Sequence, residues 1–484
     1  MSLMSTAPAS TPLPRIAIAA PASGHGKTTV ATGIMAALQK RGRDVAGFKV
    51  GPDFIDTGYH GLATGKPGRN LDPFLTSEEL IAPLLLNGAR TPSAQDPDKF
   101  ADIAVIEGVM GLFDGRIGSE GFASTAHVAA LTRTPIVLVL DISHISRTAG
   151  ALVHGLATYD PSIALSGVIL NKSASARHHK EVRDAVEAAG VPVVGVLPRD
   201  GGIAAPSRHL GLVPVEERDE AADTIALLAE RVADHIDLDA ITAIAAKATP
   251  LQTPAWSPHD HVTAPATSTR PRVAVAGGRA FTFRYAETTE LMRAAGLEPF
   301  IFDPTGDCAL PDDVAGIYLG GGFPQVHAAQ LSQTAVTDSL AHAVRRGVPT
   351  VAECAGYLYL SSTLDGHPMA GVLPAHAAMG PRLSLGYRQA IAPSDSLLAP
   401  AGSRVTGHEF HRTTTTVDLS HDAPAWLLDG QADGLSADPA GTGRPTVHAS
   451  YLHTHWAGYP ALAQAFANAA HEYAAMHVEV SRGA

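Results

Sequence analysis

One junction near the start of the chain limits its fold more than any other feature. The apolar run RIAIAAP (15–21) leads into the glycine-rich segment PASGHGKTT (21–29), and a helical pattern follows from about Lys27 to Lys40. Where a buried strand passes through such a turn into a helix, backbone N–H groups and the helix dipole converge on one point and attract phosphate. Gly24 and Gly26 let the backbone approach closely. Lys27 can reach the outer phosphates, the Thr28 hydroxyl is placed for Mg²⁺, and Thr29 completes the turn into the helix. The strict pattern has glycine five positions before Gly26; this chain has Pro21 there, so the loop is a variant P-loop.

Short apolar runs recur at Val45–Val50, Ile103–Ile106, Ile136–Leu140, Gly167–Leu170 and Val193–Val196, with helix-like stretches between several of them. Strands that read as continuous apolar runs suit a parallel α/β sheet covered on both faces. In such a sheet ligands bind outside the carboxyl ends of the strands. FKVGPDFIDTGYH (48–60) places Lys49, Asp53 and Asp56 at one such end, and ADIAVIEG (101–108) places Glu107 at another, the arrangement that sets a carboxylate beside a P-loop to hold a metal. Asp114, in GLFDG, stands in the following loop, where it contacts substrate or steadies that loop.

Composition changes over residues 246–271, which are dense in Pro, Thr and Ala and lack apolar periodicity, as an interdomain linker would be. A second α/β pattern begins at 272, with VAVAG (273–277), YLGGGFP (318–324) and VPTVAECAGYLYL (348–360). The last of these is a strand, a small-residue turn and a helix around Cys354, which resembles a nucleophile elbow with Cys in place of Ser. A helix N-terminus and a nearby His are expected to lower the thiol pKa. Gly321, Gly322 and Ala355 offer N–H groups for an oxyanion hole. HASYLHTHW (448–456) supplies three histidines, one of them a candidate base. The domain limits read from sequence are a disordered tail over 1–14, an ATP-dependent domain over 15–245, the linker, and a second α/β domain over 272–484.

The 484 residues are enough for about two to four domains. A formal charge of -12 argues against general nucleic-acid binding, which needs a basic face. Cys308 and Cys354 are too few for a disulfide framework, no apolar run approaches a membrane span, and the opening residues lack the order of a secretory signal, so a reducing cytoplasm is expected. Whether the chain forms a homodimer is left open.

The motifs APASGHGKTT, FKVGPDFIDTGYH, GRNLDPF, IEGVMGLFDG, AFTFRYAE, GGGFP, AECAGYLYL, GYR, GHEFHRT and HASYLHTHW, in this order, resemble the cobyrinic or hydrogenobyrinic acid a,c-diamide synthases of corrinoid biosynthesis. The resemblance covers nearly the whole chain from about Arg15. It implies a dethiobiotin-synthetase-like ATP domain followed by a class I glutamine amidotransferase domain. Glutamine would be cleaved at Cys354 with His453 as base. ATP and Mg²⁺ would convert carboxylates of a corrinoid polycarboxylate to acyl phosphates, and Asn171, in VILNKS, would stand at the adenine-recognising position. Related amidotransferases carry Glu two residues after the base; this chain has His455, so the usual triad is incomplete. The competing readings are a sister amidotransferase, such as cobyric acid synthase or nickel-sirohydrochlorin diamide synthase, and a non-enzymatic P-loop switch, which would not need Cys354 and His453 in an appended domain.

Overall fold

The computed structural model describes residues 10–91, 96, 99–199, 207–208, 211–212, 220–266, 269–306, 308–417 and 423–482. Its contacts divide the chain into two units, Met1–Pro73 with Ser77–Trp256, and Phe74–Thr76 with Ser257–Ala484.

The first unit runs β1 (Arg15–Ala19), α1 (Lys27–Lys40), β2 (Val45–Val50), α2 (Ile55–Thr64), β3 (Arg69–Leu71), α3 (Glu78–Ala89), β4 (Ile103–Glu107), α4 (Thr125–Leu131), β5 (Ile136–Asp141), α5 (Thr148–Thr158), β6 (Leu165–Ser173), α6 (Ala176–Ala188), β7 (Val193–Pro198), a two-stranded pair β8 (Ser207–Arg208) and β9 (Gly211–Leu212), α7 (Ala221–His235) and α8 (Leu238–Ala245). Strands β1 to β7 form one sheet in the order β3-β2-β4-β1-β5-β6-β7, with every pairing parallel. All residues of β1, β2 and β4 are buried, as their unbroken apolar runs require. The register aligns Lys49 with Glu107 and Glu107 with Ile18, so three adjacent strands end side by side. The loop after β1 opens at that point.

Two expectations about the chain's connecting regions meet a different outcome. Residues 1–9 of the expected tail lie outside the described residues, but Thr11 forms an antiparallel bridge with Leu251 and Leu13 is buried. Residues 246–271 are not a bare linker either. Leu251 and Trp256 are buried, the Trp256 backbone N–H donates to the Pro83 carbonyl at 2.9 Å, and Pro258–Asp260 form a 3₁₀ turn. The Trp256 indole and the aliphatic side chains of Leu251 and Val262, all buried, gain enough from burial to anchor a stretch that Pro and Thr otherwise mark as loop.

The second unit runs β10 (Arg272–Ala276), α9 (Ala286–Ala294), β11 (Glu298–Phe302), β12 (Val314–Leu319), α10 (Ala328–Leu331), α11 (Ala335–Arg345), β13 (Thr350–Glu353), α12 (Ala355–Leu360), β14 (Ser361–Leu364), β15 (His367–Pro368), β16 (Leu373–Ile391), β17 (Arg404–Val417), β18 (Trp426–Leu428), β19 (Gln431–Asp433), β20 (Leu435–Ala437), β21 (Val447–Ser450), β22 (His453–Thr454) and α13 (Pro460–Arg482). One sheet has the order β11-β10-β12-β13-β21-β20, parallel except for the last pairing. The other follows β15-β14-β16-β17-β22 and is dominated by the long antiparallel hairpin β16–β17. Its last pairing sets His408 opposite His453.

Candidate active sites

The P-loop owes its shape to Gly26, which is left-handed at φ 94° and caps α1. A Cβ there would stand 2.5 Å from the Asn171 amide nitrogen, so glycine is required on two grounds. The first turn of α1 contains no acidic residue, which leaves its positive end open to an anion. Below it lies a cleft of about 520 Å³ whose lining includes Gly24, Gly26, Lys27, Thr28, Thr29, Lys49, Asp53 and Glu107. Thus most residues singled out in the first half of the sequence meet at one place.

Charge in this cleft is buried and tightly connected. Lys49 Nζ lies 2.6 Å from Asp56 Oδ2 and 2.9 Å from Glu107 Oε1, and it also donates to the Gly108 carbonyl. Glu107 accepts from the Thr28 hydroxyl at 2.5 Å and contacts His60 Nε2 at 2.7 Å. Burial works to raise the Glu107 pKa, but Lys49, His60 and Thr28 override it and hold the carboxyl well below its usual range. Asp56 is pushed well up, first by burial and then by Asp53 and Glu107. Lys49 is held charged: burial opposes this, but Asp56 and Glu107 outweigh it. Lys27 is pushed down to about 8, first by burial and then by Lys49. Its Nζ donates to the Met110 carbonyl at 2.5 Å. The set is therefore a cationic ammonium held between the Asp56 and Glu107 carboxyl groups, next to a helix end that attracts anions.

Other predicted residues take narrower positions. Asp53 Oδ1 accepts the Ile55 N–H at 2.9 Å, capping the start of α2. Asp114 is exposed, and its Oδ2 accepts the Gly111 N–H at 3.0 Å, which braces the loop after β4. The Asn171 amide nitrogen donates to the His25 carbonyl at 2.9 Å. His60 had no role in the sequence reading beyond its motif. The signal was its spacing, since residues four apart on α2 set Asp56 and His60 on one face. Among the described residues no group of three or more His, Cys, Asp or Glu is arranged as a ready-made metal centre.

In the second unit Cys354 sits between β13 and α12 with φ 48° and ψ -96°. A non-glycine residue with positive φ at a strand-to-helix turn is the strained elbow expected of a nucleophile. The Cys354 N–H donates to the Ser450 carbonyl at 2.8 Å, and the Gly356 N–H to Gly320 at 3.1 Å. These bonds fasten the turn between β21 and the glycine loop. His453 is fully buried, stacked on His408 with ring centroids 4.8 Å apart, and edge-on to Phe283 at 4.9 Å.

Two expectations about this turn are corrected. The Cys354 pKa is raised to about 12 rather than lowered, because burial dominates and Glu353, Asp433 and Glu409 add to it; only the Ala355 N–H works in the other direction. Without a ligand the thiol is neutral. Gly321 is also not an oxyanion donor in this arrangement, since its N–H donates to the Phe283 carbonyl at 3.0 Å. Its glycine character serves another end: a Cβ there would meet His453 Cε1 at 2.5 Å. Gly322 and Ala355 keep the places expected of them, after β12 and at the start of α12.

A polar cluster that periodicity could not reveal joins the hairpin to this region. Arg388 Nε donates to Glu409 Oε2 at 2.6 Å, His411 Nε2 lies 3.3 Å from Glu409 Oε1, and the His411 ring stacks on Tyr451 at 3.8 Å. Asp433, which accepts the Tyr451 N–H, has its pKa pushed up to about 7 by burial and by Glu409. Arg388, Glu409 and His411 lie in the motif strings GYR and GHEFHRT and Tyr451 in HASYLHTHW, whereas Asp433 lies in none of them.

Comparison with known proteins places both units. Residues 16–213 match the model described as the CobQ/CobB/MinD/ParA nucleotide binding domain, and residues 272–461 the CobB/CobQ-like glutamine amidotransferase domain. The chain is 59% identical to the hydrogenobyrinate a,c-diamide synthase of Thermobifida fusca, over 94% of this chain and 97% of that protein. It is 48% identical to the enzyme of that name from Streptomyces coelicolor, over 96% and 99%. It is 38% identical to the cobyrinate a,c-diamide synthase of a Synechococcus strain, over 95% and 99%. Among the described residues no helix is long and apolar enough to cross a membrane. With a nucleotide-binding unit and a glutamine amidotransferase unit on one chain, and relatives matched along nearly their full length, this protein belongs to the a,c-diamide synthase family of glutamine-dependent C–N ligases.

Proposed function

We propose that this chain amidates the a and c acetate carboxylates of hydrogenobyrinate, using ATP to activate each carboxylate and glutamine as the nitrogen source. The observation that carries the choice of substrate is the 59% and 48% identity to relatives named for hydrogenobyrinate, against 38% to 42% for relatives named for cobyrinate. The cobalt-containing substrate is the second reading, since it presents the same carboxylates. We assign the ATP-dependent domain to 15–245 and the amidotransferase domain to 272–484, and place the protein in the cytoplasm, where ATP and glutamine are available.

At the first site a substrate carboxylate oxygen attacks the γ-phosphorus of ATP, releasing ADP and leaving an acyl phosphate. Ammonia then attacks the acyl carbon, phosphate departs, and an amide remains. Lys27 and the N-terminal turn of α1 hold the phosphates, Lys49 stands behind them as a buried cation, and Asn171 is assigned to the adenine end. Asp56 and Asp114 are assigned to the approach of the substrate carboxylate. The Thr28 hydroxyl, 2.5 Å from Glu107 and 3.4 Å from Asp56, belongs to an oxygen-rich set that fits Mg²⁺. Thr28, Asp53 and Glu107 would hold that ion, which would neutralise charge developing on the phosphates. Magnesium usually keeps several waters and shares its shell with substrate phosphates, so a site without a complete protein cage suits it.

At the second site the Cys354 sulfur attacks the glutamine side-chain carbonyl. His453 takes the thiol proton and returns it to the departing ammonia, and water then releases glutamate from the thioester. The N–H groups of Ala355 and Gly322 are assigned to the oxyanion. Because burial keeps the thiol neutral, its proton passes to His453 as the sulfur attacks the carbonyl rather than beforehand.

The test is a time course with purified protein, ATP, Mg²⁺ and glutamine, offering hydrogenobyrinate, cobyrinate and nickel-sirohydrochlorin in parallel, with product masses recorded. The expected result is a monoamide followed by a diamide of hydrogenobyrinate as the end point. A tetra-amide or higher product, or turnover of the nickel compound alone, would overturn the assignment in favour of a sister activity.

A further inference from the structure

The base His453 has no acidic residue two positions later, because His455 stands there. His455 is itself engaged: its Nε2 lies 3.7 Å from Glu287 Oε2, and its ring lies against Tyr285 in a tilted contact, centroids 4.2 Å apart. A different carboxylate reaches His453. Glu353, the residue immediately before the nucleophile, is 5% exposed, and its Oε2 lies 3.8 Å from His453 Nδ1.

That carboxylate is fixed on its remaining sides. Oε1 accepts the Thr454 hydroxyl at 2.9 Å and the Thr454 N–H at 3.3 Å, while Oε2 accepts the Tyr318 hydroxyl at 2.9 Å. Thr454 follows His453 directly, so Glu353 grips the short strand that carries the base. The imidazole is confined in turn by His408 on its face, Phe283 at its edge and the bare backbone of Gly321 at Cε1.

We propose that Glu353 is the positioning residue for His453, taking the part that a carboxylate two residues after the base plays in related amidotransferases. The 3.8 Å separation is an ion-pair distance rather than a hydrogen bond. Contacts of this kind are commonly loose without substrate and tighten in the reacting complex. With Nδ1–H directed at Glu353, the proton-transfer nitrogen is Nε2, and the imidazolium formed when His453 takes the thiol proton faces a buried anion. Glu353 exchanges no proton. As a direct neighbour of the thiol its charge disfavours thiolate, so its benefit arises only through the histidine.

This inference rests on the reading that Cys354 and His453 hydrolyse glutamine, and the experiment separates the two. Glutamate release is measured for the wild type, Cys354→Ala, Glu353→Gln, Glu353→Asp and Glu287→Gln, and the nitrogen-15 histidine spectrum of the wild type is assigned through loss of the His453 signal in His453→Gln. If the wild type and Cys354→Ala release glutamate equally, the underlying reading fails. If the wild type releases glutamate and Cys354→Ala does not, the expected result is that Glu353→Gln lowers kcat by roughly a hundred-fold or more with KM changed less than about three-fold. Glu353→Asp should recover part of that loss, and Glu287→Gln, which also removes a buried carboxylate, should cost less than about three-fold in kcat. A kcat for Glu353→Gln near the wild-type value overturns the proposal. Should Glu353→Gln fail to fold, the wild-type spectrum decides: His453 carrying its neutral-form proton on Nδ1 supports the proposal, and on Nε2 overturns it.

Discussion

At the phosphate cleft, charge is buried in compensated form: Lys49 is in contact with Asp56 and Glu107, and Glu107 also contacts Thr28 and His60. At the thiol, burial has the reverse result, because Cys354 is kept neutral with a pKa pushed up to about 12. The first arrangement keeps its charges in place before any ligand arrives, which suits a ligand that is itself highly charged. The second develops charge only while reacting, which suits a zwitterionic amide that brings its carbonyl to a neutral sulfur. On the proposed function, the first site would work by electrostatic preorganisation and the second by coupled proton transfer.

The comparison breaks most directly through a crossed pair of variants. Lys27→Ala should lower amide synthesis by about a thousand-fold or more from either glutamine or ammonium salts, because it removes a cation from the phosphate clamp. Glutamate release should persist in that variant. Cys354→Ala should lower glutamine-driven synthesis by about a thousand-fold while synthesis from ammonium salts at alkaline pH continues. Product amide measured with both nitrogen sources checks both variants, and a Cys354→Ala protein equally inactive with ammonium would show that the two sites are not chemically separable.

A smaller effect sharpens the account of the second site. In Gly321→Ala the new Cβ would fall 2.5 Å from His453 Cε1, so the ring must shift. A displacement of this kind costs on the order of a hundred-fold in turnover. Steady-state glutaminase kinetics would reveal it, and an unaffected kcat would mean that His453 tolerates movement and is not the base.

The smallest expected effect concerns stability. His448 is fully enclosed beside Trp426, and burial pushes its pKa down to about 3. Its folded pKa lies below the unfolded value, so the unfolded chain binds a proton that the folded chain refuses. Stability is therefore lost as pH falls from about 6.5 toward 3. At pH 5 the loss is about 2 kcal/mol, from a gap of roughly 1.5 pH units at 1.36 kcal/mol each. His448→Leu should remove that share of the acid sensitivity, seen as a smaller decrease in urea-unfolding free energy between about pH 7.5 and pH 5. An unchanged decrease would place the acid sensitivity elsewhere.

The α/β class, the parallel strands and the two chemical centres were legible in the sequence because each is carried by local pattern. Unbroken apolar runs mark strands buried on both faces, and the glycine-rich turn before Lys27 and the small-residue turn around Cys354 are contiguous segments whose backbone geometry depends on near neighbours. What only the tertiary structure decided depends on residues distant in sequence. Glu353 and His453 are a hundred positions apart and come together where β13 ends and β22 begins, and His408 reaches His453 through the β17–β22 pairing. The direction of the Cys354 pKa likewise depends on how completely the turn is enclosed and on Asp433 and Glu409, which no local pattern discloses. The Gly321 N–H, read from its position as an oxyanion donor, is instead tied to Phe283 across an isolated bridge. Residue type and spacing define which groups are available for chemistry; long-range pairing and desolvation determine which of them face one another and in what state of charge.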